Sequence, residues 1–186
     1  VKTLINSRLN SDLENDLKIE PTRLFSLKRD VEYINERELQ KFNENEFFEY
    51  EMDFNIPTDI EDEDIEYVQK NKTYIADRFK KNSVTPCNLT LTKNVQVMLT
   101  YNIDLENGFA NGSRGVITDF VDGYPSVLFL NGKVLTINPV TWVIEEGGKK
   151  ILEATQVPLR IAYASTIHIC QGATLDYVEM DLSNVF

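Results

Sequence analysis

The side chains in this sequence best suited to hold an anion are Thr166, His168 and Gln171, which crowd into the run Ala164-Ser-Thr-Ile-His-Ile-Cys-Gln-Gly172. A hydroxyl, the only imidazole of the chain and an amide can each hydrogen-bond a phosphate oxygen or a base edge. Just upstream Leu159, Ile161 and Tyr163 alternate as in a strand, while Ser165 or Thr166 is able to cap a helix and Gly172 to end it. A capped helix start exposes unpaired N–H groups that attract anions. An ordinary strand-to-helix link with a structural histidine has the same pattern, and this run alone does not separate the two readings.

Those residues need elements to position them. Ser26 to Phe42 predicts a helix, with Asp30 near its start and Val31, Ile34, either Glu38 or Leu39, and then Phe42 on its core-facing side. Phe47 to Phe54 suits a strand. The acid run Asp59 to Asp64 follows Pro57 and favours the positive end of a helix dipole, so Ile65 to Phe79 is expected to be helical. Consecutive acids lack the spacing and turn glycine of a calcium loop. From Leu89 onward the character changes to short strands: 89–91, 95–99, 116–121, 126–130, 133–137 and 141–144. Turn signals at Asp122-Gly123, Asn131-Gly132 and Gly147-Gly148 separate them, and several short strands in so short a stretch predict a small barrel with Trp142 in its core or rim. In Asn111-Gly-Ser-Arg-Gly115, Gly112 and Gly115 are expected to shape a turn and bulge with positive φ.

Composition bounds the function. No apolar run approaches the ~20 residues that span a bilayer, and the first residues, Val-Lys-Thr-Leu-Ile-Asn, lack a secretory pattern, so no membrane role and an intracellular setting are expected. Cys87 and Cys170 are too few for a zinc site and are read as unpaired. The formal net charge of −11 opposes strong nucleic-acid binding, which relies on Lys and Arg. Its distribution softens that objection: residues 1–87 carry 13 basic and 20 acidic side chains, against 6 and 7 in 88–160. Contacts made by backbone amides and hydroxyls need no net charge.

The run Pro158-Leu-x-x-Ala-Tyr-Ala-x-Thr-Ile-His-x-x-Gln-Gly-x-Thr-Leu-Asp176 resembles the fifth motif of the Pif/RecD-like branch of superfamily 1 DNA helicases. Val95 to Asp104 with Gly108 to Ile117, and Pro21 to Glu36, are similar to further segments of that branch in the same order. The resemblance implies an α/β fold, a partial RecA-like motor domain with a parallel sheet and an inserted SH3-like β-barrel. It divides the chain into a first part of domain 2A at 1–94, insertion 2B at 95–156 and a return to 2A at 157–186. It further implies 5′-to-3′ translocation on single-stranded DNA, with forked or structured DNA as substrate, by a monomeric motor using ATP and Mg2+. Thr166, His168, Asn111 and Arg114 would contact DNA, with Asn35 as a weaker candidate, and Gln171 and Gly172 would line the nucleotide cleft. The family has Lys where this chain has Ile169, which removes a charge from the turn.

No Gly-x-x-x-x-Gly-Lys-Ser/Thr phosphate loop occurs in the 186 residues, and the sequence stops where the family continues with a helix carrying an arginine finger. The first motor domain, which would hold most ligands of ATP and Mg2+, is therefore expected elsewhere, and this segment alone is expected not to hydrolyse ATP. The setting implied is nuclear or mitochondrial in a eukaryote, and otherwise cytoplasmic or viral. The alternative is a degenerate helicase remnant that serves as a non-catalytic binding module.

Overall fold

The computed structural model describes residues 19–42, 46–167 and 178–180. Strand β1 (Thr22–Phe25) alternates buried and half-buried residues and leads into helix α1 (Lys28–Leu39), which ends in a 3-10 turn at Gln40–Phe42. Short strands β2 (Phe48–Glu51) and β3 (Asp53–Asn55) precede the long helix α2 (Asp62–Asn82). The acid run does supply its first turn, as Asp62, Glu63 and Asp64. Then come β4 (Asn88–Leu91), β5 (Gln96–Leu99), β6 (Arg114–Val121), β7 (Tyr124–Phe129) and β8 (Val134–Thr136). They are followed by β9 (Val140–Glu146), β10 (Lys149–Gln156), β11 (Leu159–Ile161), β12 (Ala164–Thr166) and β13 (Val178–Met180).

Four sheets result among the described residues. A parallel sheet has the order β12-β1-β13, and a five-stranded antiparallel sheet the order β11-β5-β6-β7-β8. A third sheet runs β3-β10-β9, and β2 pairs with β4. The parallel sheet agrees with an α/β motor domain. The expected closed barrel is not present: β8 and β11 are opposite edges of the five-stranded sheet, and β9 and β10 pair with β3 instead of closing it. Sheet pairing also crosses the expected divisions, because β3 lies before residue 94 and β11 after residue 156.

Two hydrophobic clusters hold these layers. Leu91, Val95, Val97, Leu99, Ile117, Val127, Phe129, Ile137 and Leu159 form one around the five-stranded sheet. Met52, Phe54, Val68, Ile75, Ile144, Ile151, Leu152 and Ala154 form the other between α2 and β10. All four residues of β5 are buried, which suits a central strand covered on both faces and removes the alternation that marks half-buried strands. The Gly147-Gly148 signal makes a tight hairpin, with φ of +61° and +81° and Glu146 opposite Lys149. Trp142 is half-buried and meets Tyr101 edge to face at 5.9 Å.

Candidate functional site

The strand expected over Leu159–Tyr163 breaks in two. Leu159–Ile161 pairs antiparallel with β5, and Ala162 and Tyr163 carry the chain across to the parallel sheet, where Ala164–Thr166 pairs with β1. Ser165 and Thr166 are therefore strand residues, 1% and 7% exposed, rather than helix caps at this point. The physical reason is pairing: Thr166 lies opposite Phe25, whose carbonyl also accepts from the Ile167 N–H at 3.2 Å. His168, Gln171 and Gly172 lie outside the described residues, as do Ile169 and Cys170.

Asn35 holds the outer edge of β12. Its Nδ2 donates to the Ala164 carbonyl at 3.0 Å, and its Oδ1 accepts from the Ala164 N–H at 2.9 Å, the bonds a neighbouring strand would make. The side chain is thus occupied in fixing the strand that carries Thr166. Position 35 projects from α1, so a helix residue completes a sheet edge.

Thr166 opens onto a groove of about 670 Å³ between α1 and the segment linking α2 to β4. Lys28, Lys80 and Arg160 bring positive charge to its lining and Glu32 and Glu36 negative charge, with Glu32 3.6 Å from the Lys28 ammonium; Thr85, Asn88 and Thr90 bring polar groups, and Val31, Leu39, Leu89 and Ile161 bring apolar surface. Cations beside polar and apolar surface can accommodate a charged backbone together with aromatic bases. Lys28, Lys80 and Arg160 were not singled out from the sequence, because they are contributed by three separate elements. The only local signal was Arg160 standing between Leu159 and Ile161 in an alternating run. Cys87 also lines the groove, and burial pushes its thiol pKa up, so it stays protonated.

The Asn111–Gly115 group divides. Gly112 has φ +95° and turns the chain as expected, with its N–H donating to the Leu99 carbonyl at 2.9 Å. Gly115 does not have positive φ; it lies in β6, where a Cβ would stand 2.5 Å from the Leu128 carbonyl oxygen. Close approach of strands, not a bulge, is what requires glycine there. Arg114 is corrected too: it is 1% exposed, and its Nη1 donates to the Glu20 carbonyl at 3.1 Å and to Thr22 Oγ1 at 3.2 Å. A guanidinium enclosed in this way does not face a solvent-borne DNA strand. Asn111 is half-buried in the loop after β5, its N–H donating to Asn102 Oδ1 at 2.8 Å, and it does not line the Thr166 groove.

Among the described residues one acidic group has metal-like spacing: Glu61, Glu63 and Asp64. Lys149 already fills it, its ammonium donating to all three carboxylates at 2.6 to 2.9 Å. Those hydrogen bonds hold the Lys149 pKa well above the ordinary lysine range. A residue that remains cationic at the centre of the acids leaves them a poor fit for Mg2+.

A family model described as the 2B domain of the DNA helicase Pif1 matches residues 75–120. An ATP-dependent DNA helicase PIF1 from Xenopus laevis is 39% identical, over 95% of this chain and 26% of that protein. The uncharacterized protein 030L of Invertebrate iridescent virus 6 is 34% identical, over 91% of this chain and 43% of its own length. The solved Pif1 helicase from Bacteroides in complex with ADP-AlF3 and single-stranded DNA matches with a TM-score of 0.59 and 26% identity. That match covers 95% of this chain and 36% of the other. The chain thus spans less than half the length of each of these relatives.

Proposed function

We propose, from its similarity in sequence and fold to Pif1 helicases, that this chain forms the second motor domain, with its insertion, of an ATP-dependent 5′-to-3′ DNA helicase. The observation that carries this reading is the groove beside β12, which Thr166 lines together with Lys28, Lys80 and Arg160. Single-stranded DNA is the ligand its chemistry suits: cations and hydroxyls for phosphates, apolar surface for bases. Forked or structured DNA would be the substrate from which the strand is drawn. The divisions at residues 94 and 156 remain our assignment of the motor domain and its insertion.

Thr166 donates from the parallel sheet to a backbone phosphate, and His168, two residues further along the sequence, adds a second polar contact. Gln171 and Gly172 face the nucleotide side of the cleft. Nucleotide, when bound there with Mg2+, supplies the free energy of the cycle. The Thr166 groove then shifts along the strand relative to the first motor domain, and it returns when the cleft reopens. No phosphate loop occurs in these residues, so by itself the segment is inactive as an ATPase.

Thr166→Ala combined with His168→Ala in the full-length parent is expected to reduce DNA-stimulated ATP hydrolysis and unwinding at least tenfold, roughly the loss of one or two charge-assisted hydrogen bonds. Unchanged stimulation and unwinding would show that the strand is gripped elsewhere.

A further inference from the structure

We propose that Arg114 and Gln96 are positioning residues: they form a buried joint that sets the strand carrying Thr166 against the five-stranded sheet. The inference rests on the reading of Thr166 as a DNA contact. Both side chains are almost fully enclosed, Gln96 at 2% and Arg114 at 1% exposure.

Gln96 treats Glu20, two residues before β1, as a strand neighbour. Its Oε1 accepts from the Glu20 N–H at 2.8 Å, while its Nε2 donates to the Glu20 carbonyl at 2.9 Å and to the Ala162 carbonyl at 3.0 Å. Its backbone joins the same joint. The Gln96 N–H donates to the Tyr163 hydroxyl at 3.2 Å, and the Gln96 carbonyl accepts from the Ala162 N–H at 3.0 Å. Arg114, from the next strand, adds its bonds to the Glu20 carbonyl and Thr22 Oγ1. Thr22 in turn donates to the Ala162 carbonyl at 2.9 Å.

Every one of these bonds converges on Glu20–Thr22 or Ala162–Tyr163. Those two short segments are where β1 begins and where the chain leaves β11 for β12. Two residues of link leave little slack, so the angle fixed at Ala162 is inherited by Thr166 four residues later. A buried arginine and glutamine bonded to backbone groups and to the Thr22 hydroxyl are costly to disturb, because each bond lost strands a polar group away from water. The joint makes the insertion and the grip strand move as one body.

The test is a double-mutant cycle in the full-length parent, read as single-stranded DNA affinity. Arg114→Met keeps the volume and leaves the Glu20 carbonyl its bond from Gln96. Arg114→Met and Thr166→Ala are each expected to weaken affinity about tenfold, and the pair no more than Thr166→Ala alone, as for coupled sites. Multiplying effects would overturn the coupling.

Should Thr166→Ala alone leave affinity unchanged, the DNA contact is wrong but the joint is still judged by hydrogen exchange. Arg114→Met should speed exchange of the β12 amides while sparing those between β6 and β7. Equal acceleration everywhere, or none, sinks the joint. If Arg114→Met does not fold, Arg114→Lys takes its place in both measurements, with a smaller shift in the same direction expected.

Discussion

At the scale of single residues, the glycines show how differently one residue type is used. A methyl group on Gly115 would meet the Leu128 carbonyl carbon and oxygen and Val127 Cγ1, all within 3.0 Å, and backbone cannot retreat. Gly123 has nothing within 4 Å but a φ of +82°. Gly115→Ala is therefore expected to cost about 1–3 kcal/mol or more through overpacking, and Gly123→Ala about 1 kcal/mol through left-handed strain. Urea denaturation of the two variants checks the order; a smaller loss at Gly115 would contradict the packing described here. Sequence alone marked both positions as turns, since a glycine needed for φ and one needed for clearance look identical in a string of letters. Arg114 was misread for a related reason. Between two glycines it has the look of a loop residue, and only the pairing of Gly115 with Phe129 reveals a strand whose neighbour is buried.

At the scale of elements, α1 was legible because its apolar spacing is helical, yet the choice between Glu38 and Leu39 was not. The structure buries Glu38 to 4% exposure and leaves Leu39 half-buried. Burial by itself raises the Glu38 pKa, but hydrogen bonds from Lys41 and Arg37 outweigh it and the net shift is downward. A carboxyl with a lowered folded pKa contributes stability that is complete above its unfolded value, near 4.3, and that is lost as pH falls through the folded pKa. Glu38→Gln should therefore be less stable than the parent sequence at neutral pH, with the difference closing as the solution is acidified below about pH 4. Denaturation midpoints at several pH values measure this, and equal midpoints at pH 7 would remove Glu38 from the account. The broken strand before Thr166 was beyond reach of pattern reading for another reason. Alternation over Leu159–Tyr163 is local, whereas the switch at Ala162 is imposed by partners in β5 and β1, far away in sequence.

At the scale of the whole molecule, net charge and groove charge pull in opposite directions. The acids concentrate in residues 1–87, and one set of three is offset in part by Lys149. The groove offers three cations, Lys28, Lys80 and Arg160, against two carboxylates, Glu32 and Glu36. For single strands, log K falls by about 0.7 per phosphate neutralised for each decade of salt, so a slope between about −0.7, from the net groove charge, and about −2, if all three cations are freed, is expected for the isolated chain, with a Kd of about 10⁻⁴ M or weaker at physiological salt. Fluorescence anisotropy of a labelled oligonucleotide across salt concentrations gives both; a flat dependence would mean that the groove is not the electrostatic contact. The parallel sheet agrees with expectation because the motor-domain segments match along the chain, whereas the barrel failed on closure, a property of edges that short strands and turn signals do not encode.

The parallel sheet also sets an order of events for a newly made chain. Among the described residues the partners of β1 are β12 and β13, with Thr22 bonded across a separation of 140 residues to Ala162. On the ribosome β1 waits, unpaired, while the intervening hairpins form from close neighbours. Thr166 reaches its place only when that loop closes, so the strand proposed to touch DNA is assembled after the hairpins that separate it from β1.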